Sequence, residues 1–342
     1  MEKLFKKEKF ILSICIPTYN EPDNVKLLLE NLSKQSTPEV EILIRDDSTD
    51  DKTEKIVNSY LTKIPGQLRY FKGEKAAIGG YDIALLSLIE SAKGDYIWWF
   101  GNDVMGDGAI NKIITTIKRF PDISLIWINS AGIHNQSDVG VDFGGDRFFI
   151  NADEVFETDV GLLGFSSIIK RKEAMEGMEE SKKFIGSALA CFYLSLHVLS
   201  GRKGRFYFIQ KPYMLCTAKP SGEVRWYDSF QVHGINYFLI SQKFKNKFNK
   251  KSFKKGLAKQ FGQIWRAVLV ERALGFTTGF GSKTPKIKKM FQCYWNFPEF
   301  WIALPFFLMP RIILRVFYRF YKIFFDRRHL RFSIFEKNYF LN

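Results

Sequence analysis

The chain has 342 residues, 46% of them hydrophobic, which suffices for one large domain with appendages or two small ones. Its formal charge of +15 is unevenly divided: residues 1–240 carry 29 basic against 32 acidic side chains, residues 241–342 carry 22 against 4, so the excess belongs to the C-terminal part. Cys15, Cys191, Cys216 and Cys293 lie far apart with no CxxC spacing, which argues against a zinc site or a disulfide framework and fits a reducing cytoplasm.

The N-terminal segment 1–9 is basic and lacks the apolar stretch of a secretory signal. From residue 10 to 130 the pattern alternates, with strands expected at 10–16, 40–46, 68–71, 95–100 and 123–129 and helices at about 23–35, 51–61, 81–92 and 108–119. Val25, Leu28, Leu29 and Leu32 mark the buried face of the first helix, and Ile110, Ile113, Ile114 and Ile117 that of the last. Such alternation implies an α/β fold with a largely parallel sheet covered on both faces.

Residues 131–160 read as loops with a short strand at Arg147–Ile150. A strand at 164–169, a helix at about 186–200 and strands near 205–209 and 212–217 complete the sheet, and Ala218–Glu223 reads as a turn or loop. Beyond 240 the character changes. Lys243 to Lys259 holds eight lysines and no acid, interleaved with Phe244, Phe248 and Phe253. From Phe297 to Phe325 the chain is mostly aromatic and aliphatic, but its longest uncharged run, Phe300 to Pro310, is too short to span a bilayer. After it, Arg311, Arg315, Arg319 and Lys322 recur every three or four residues, with Ile312, Ile313, Val316, Phe317, Phe320 and Phe324 largely on another face. A helix of this kind lies in a membrane interface, so an anionic membrane surface is the expected partner. No nucleic-acid module is visible, and nucleic acid is not an expected partner.

Chemistry concentrates where the first strands stop. Ile11-Leu-Ser-Ile-Cys-Ile-Pro-Thr-Tyr-Asn-Glu21 and Glu41-Ile-Leu-Ile-Arg-Asp-Asp-Ser-Thr-Asp-Asp51 each run from a buried strand into acceptor-rich residues, where open α/β sheets place ligands. No glycine lies between Ile16 and Glu21, so the phosphate fingerprint of dinucleotide folds is missing. Two adjacent carboxylates, Asp46 and Asp47, repel unless a ligand, donor or cation uses them, whereas Asp50 and Asp51 are explained as helix caps. Read alone, Pro17 ends a strand, Asn20 to Asp23 cap a helix, and Glu21 favours its N-terminus.

These two motifs together resemble the family 2 glycosyltransferases of the GT-A fold, and within them the abequosyltransferase-like branch of surface-polysaccharide enzymes. The resemblance covers residues about 10 to 130 and implies a GT-A domain at 10–240; the charge and apolar pattern after it mark 241–342 as a basic, aromatic, helical, membrane-associating region. It implies an inverting transfer from a nucleotide-diphosphate sugar to a saccharide or polyprenyl-linked acceptor, in O-antigen or capsule synthesis, at the inner face of the cell membrane. Pro17, Thr18, Tyr19 and Glu21 would contact the donor, Asp47 would accept from the base, and Asp46 would support the loop. Gly101-Asn102-Asp103 stands where relatives carry two or three consecutive acids; Asp103 would ligate Mg²⁺ or Mn²⁺, with Asn102 offering a neutral oxygen. Asp107 is either a neighbour of that site or a helix N-cap.

Two departures bear on turnover. Ile78-Gly-Gly-Tyr-Asp82-Ile83 places an apolar residue where relatives have Arg, and Phe184–Cys191 contains no acid where they carry the general base. No base is named; His233 is carried only as an acceptor-side candidate. The alternative reading is therefore a glycosyltransferase-like binding or scaffold protein without turnover.

Overall fold

A computed structural model of the chain describes residues 10–64, 67–74, 80–101, 103–132, 135–139, 141–158, 166–201, 205–216, 230–274 and 287–325. The N-terminal segment 1–9, Asn102 and the loop expected at 218–223 lie outside the described residues. Two compact units are present: Met1–Ala152 with Val160–Thr217, and Asp153–Asp159 with Ala218–Asn342.

The first unit opens with β1 (Leu12–Thr18), α1 (Pro22–Gln35), β2 (Val40–Asp46), α2 (Lys52–Asn58), β3 (Gln67–Lys72), α3 (Gly80–Ser91) and β4 (Tyr96–Trp99). It continues with β5 (Val104–Met105), α4 (Ala109–Arg119), β6 (Ile123–Gly132), β7 (Asn135–Val139) and β8 (Arg147–Phe149). After α5 (Ala152–Thr158), discussed with the second unit, come β9 (Ser167–Lys170), α6 (Arg171–Glu176), α7 (Met178–Lys182), α8 (Ala190–Ser200) and β10 (Arg205–Cys216). All these strands join one sheet in the order β3-β2-β1-β4-β9-β6-β10-β5, with β7 on β6 and β8 on β10. The pairs among β3, β2, β1 and β4 are parallel, as is β6 with β10; β9 runs antiparallel between β4 and β6, and β5 antiparallel to β10.

All seven residues of β1 are buried because helices cover both faces of a parallel sheet. Val25, Leu28, Leu29 and Leu32 of α1 and the four isoleucines of α4 supply part of that cover. Their four-residue periodicity against the strands' continuous apolar runs explains why the elements were readable. The two strands expected at 205–209 and 212–217 are one strand, β10, whose register on β6 shifts between Ile209 and Met214.

The second unit is helical. It comprises a π-helical stretch at Phe230–Asn236, α9 (Tyr237–Gln242), α10 (Lys250–Leu274), α11 (Ile287–Tyr294), α12 (Pro298–Leu308) and α13 (Arg311–Phe325). Helix α5, in a stretch that reads as loop, packs here: Phe156 lies on Phe248 and Phe253 at ring separations of 4.7 and 5.2 Å. Gly256 of α10 permits this approach, since a Cβ there would fall 2.7 Å from the Phe156 carbonyl oxygen.

Candidate active site

Three chain segments meet at the C-terminal edge of the parallel strands. Thr18 pairs with Asp46 in register, and the Asp47 amide continues the ladder by donating to the Thr18 carbonyl at 3.1 Å. On the other side of β1, the Phe100 amide donates to the Cys15 carbonyl at 2.9 Å. Asp47 and Asp103 thus follow β2 and β4, the two strands that flank β1.

Asn20 clasps the first two loops. Its φ of 51° lies in the left-handed region that Asn tolerates better than most residues. Its amide donates to Ser48 Oγ at 2.7 Å, while its side-chain oxygen accepts from the Thr49 amide at 3.0 Å and the Thr49 hydroxyl at 3.2 Å. Held this way, the loop follows Pro17 and Thr18, buried at the end of β1, and leaves Tyr19 48% exposed beside the strand ends. Glu21 occupies the N-cap position of α1 and accepts from Asn24 Nδ2 at 3.3 Å, with Pro22 opening the helix.

The adjacent acids have different surroundings. Asp46 is fully buried: Oδ1 accepts from the Ser48 amide at 2.9 Å, and Oδ2 from Tyr70 Oη at 2.8 Å and Lys72 Nζ at 3.2 Å. With both oxygens bonded within the protein, it frames the loop. The same carboxylate and burial push the Tyr70 phenol well above its ordinary pKa, burial contributing most. Asp47 keeps 8% of its side chain exposed, and its Oδ1 is held by Arg45 Nε at 3.1 Å. Arg45 is itself anchored by Nη1 donating to Ser87 Oγ at 2.8 Å. Gly73, at the end of β3, completes this cradle. A Cβ there would lie 1.6 Å from Asp47 Oδ1. Asn20, Arg45 and Gly73 are candidate site residues that motif reading missed: Asn20 and Gly73 act through partners on another segment, and Arg45 is anchored by Ser87 on α3.

Asp103 is half-buried in the turn between β4 and β5. Among the described residues, no group of three His, Cys, Asp or Glu side chains could hold a metal by itself. A single strand-end carboxylate still suits a cation carried mainly by diphosphate oxygens, since Mg²⁺ is commonly bound by one or two carboxylates plus substrate phosphates. Asp107 is exposed, and the N-cap of α4 is Gly108, whose φ of 79° is left-handed, so Asp107 is not the cap.

Asp82 accounts for the acid-free segment before α8. Its carboxylate is 1% exposed and accepts from the backbone amides of Gly186 at 2.9 Å, Ala188 at 2.8 Å and Ala190 at 3.1 Å. Gly186 and Ala188 adopt left-handed φ values of 93° and 60° to turn those amides inward. Burial raises the Asp82 pKa, and the amide bonds counter part of that rise. His233 lies in the π-helical stretch of the second unit, half-buried, with its backbone carbonyl accepting from Gln260 Nε2 at 3.3 Å.

Residues 13–175 match the family model described as glycosyl transferase family 2. Over 289 residues, 78% of this chain and 83% of the relative, the sequence is 23% identical to abequosyltransferase RfbV of Salmonella typhimurium. An uncharacterized glycosyltransferase of Rickettsia typhi is 34% identical over 93 residues, 27% of each chain. Among solved structures, residues 1–349 of S. aureus TarS in complex with UDP align with a TM-score of 0.61 at 17% identity, covering 91% of both chains, a likeness of GT-A fold. Family match, fold and strand-end geometry agree: residues 13–175 are a glycosyl transferase family 2 domain, and the protein is a glycosyltransferase.

Proposed function

We propose that the protein transfers a sugar from a nucleotide-diphosphate donor to a saccharide or polyprenyl-linked saccharide, with inversion, in surface-polysaccharide synthesis on the cytoplasmic side of the cell membrane. The observation that carries this reading is the placement of Asp47 and Asp103 after the two strands that flank β1. Asp47, fixed at one oxygen by Arg45, would accept an N–H from the base, while Tyr19 offers an exposed aromatic side chain and Pro17 and Thr18, at the end of β1, line the approach. Glu21, at the first turn of α1, and Asn102, beside Asp103, complete the proposed donor contacts. A Mg²⁺ or Mn²⁺ ion, when bound with Asp103, would neutralise the diphosphate as it leaves. The acceptor oxygen bonds to the anomeric carbon as the bond to diphosphate breaks, and the acceptor's proton passes to a base. Asp82 is not that base, because its carboxylate is buried against three amides. His233 stays an acceptor-side candidate.

That commitment of Asp82, with no acid in Phe184–Cys191, also supports a second reading, donor binding without turnover. Calorimetric titration of uridine, thymidine, guanosine and cytidine diphosphates with and without Mn²⁺ tests the site. Asp47→Ala should weaken nucleotide binding at least ten-fold with or without metal, and Asp103→Ala should remove only the metal-dependent part. Equal, metal-independent losses from both variants overturn the assignment. Hydrolysis of the matching nucleotide-sugar by wild type but not Asp103→Asn separates an enzyme from a binding protein.

A further inference from the structure

The described helix α13 presents three faces. Leu314 is 4% exposed, and Arg315 Nε donates to the Ala273 carbonyl at 3.0 Å, so one side of the helix is seated against α10 of the same unit. Ile312, Val316 and Phe320 recur every fourth residue, Ile313 and Phe317 lie alongside them, and all five are exposed, Ile312 by 76%. Arg311, Arg315 and Arg319 follow the same four-residue spacing along one edge of that apolar stripe. The apolar face is thus turned away from the face that packs. On the preceding helix, Trp301, Ile302 and Leu308 are also at least half exposed. Apolar surface of this extent, rimmed by charge, marks an interaction site.

Length and charge choose the occupant. No single described helix is long and apolar enough to cross a membrane; α12 and α13, of 11 and 15 residues, rise about 16 and 22 Å against a hydrocarbon core of about 30 Å, and a 112° bend separates them. A basic excess of 22 against 4 over residues 241–342 favours an anionic partner, and bulky apolar side chains favour one with a hydrocarbon interior. From these observations we infer that the exposed face of α12 and α13 seats the protein in the plane of an anionic lipid bilayer, with the Ile312–Phe320 stripe in the acyl boundary and the arginines at the headgroups. The inference stands apart from the donor-site reading, because none of these residues belongs to that site.

Flotation of the full-length chain with phosphatidylcholine vesicles, with and without phosphatidylglycerol, tests it. Wild type should float with anionic vesicles, partly resist high salt, and bind neutral vesicles weakly. Ile313→Glu with Phe317→Glu should reduce partitioning at least ten-fold, and Arg311→Gln with Arg319→Gln should remove mainly the salt-sensitive part. Nucleotide binding of both variants should match wild type, as should the thermal midpoint of the double Glu variant, since Ile313 and Phe317 are exposed. Failure of wild type to bind anionic vesicles at low salt, or undiminished binding by the double Glu variant, overturns the inference. A solution dimer that the double Glu variant splits, without any vesicle binding, also overturns it and makes the face a contact between copies.

Discussion

Gly73 carries more of the proposed donor site than its lack of a side chain suggests. Its amide donates to the Asp46 carbonyl at 2.9 Å, which lays the end of β3 beside β2, and the space over its Cα holds the Asp47 carboxylate. A methyl group at that position displaces a rotatable side chain, so the fold should survive while Asp47 swings off Arg45. Gly73→Ala should therefore weaken nucleotide binding about as much as Asp47→Ala, ten-fold or more, with a thermal midpoint within a few degrees of wild type. Titration calorimetry beside a melting curve checks this; tight binding by Gly73→Ala would show that Asp47 does not need its present rotamer. Asp47 stands out in the sequence as a candidate because two adjacent acids at a strand end are conspicuous within their own segment. Gly73 does not, because its role is set by an oxygen on another strand. Asp46 looks identical to Asp47 in sequence, and Tyr70 and Lys72, more than twenty residues away, help to distinguish the two.

Among elements, α3 does more than cover the sheet. Through Asp82 it closes the turn that starts α8, and through Ser87 it steadies Arg45 behind Asp47, so the proposed donor cradle and the turn before α8 share one helix. Asp82→Ala leaves three amides without their acceptor, which either opens the turn or costs about 1–3 kcal/mol for each that stays buried. Hydrogen exchange at Gly186, Ala188 and Ala190 should accelerate in that variant, and unchanged protection there would refute the clamp. The pH dependence has a definite sign. Because burial raises the folded-state pKa, the Asp82 contribution is fully present below the unfolded value near 4 and is lost as pH rises through the folded value. Relative to Asp82→Asn, which does not titrate, wild-type stability should fall as pH increases across that window, as denaturant melts at several pH values would show. The helices and long strands were legible because periodicity is a local property. Strand β5 spans only two residues and takes its identity from pairing with Met214 and Leu215, and α5 lies in a Gly- and Asp-rich stretch whose helix is stabilised by distant phenylalanines, so neither left a readable pattern.

For the whole molecule, the chain does not divide its two units at one point. Sequence places the change of character near residue 240, where charge and aromatic content shift, yet Asp153–Asp159 belongs with the helical unit that resumes at Ala218. Polar contacts reinforce the aromatic packing of α5: Asp153 Oδ1 accepts from the Asn249 amide at 2.7 Å, and Glu157 pairs with Lys255 Nζ at 2.6 Å. The aromatic part should dominate, since burying one Phe side chain is worth about 1.5–3 kcal/mol and exposed ion pairs contribute little. A fragment ending at Thr217 keeps α5 while losing Phe248, Phe253 and the space over Gly256, so Phe156 becomes an exposed aromatic on an unsupported helix. That fragment should associate or precipitate when expressed, and the same fragment with Phe156→Ser should be monomeric on gel filtration and bind nucleotide with the affinity of the full chain. A wild-type fragment 1–217 that is itself monomeric and binds nucleotide fully would show that α5 needs no partner, and that the helical unit contributes nothing to the solubility of the sheet.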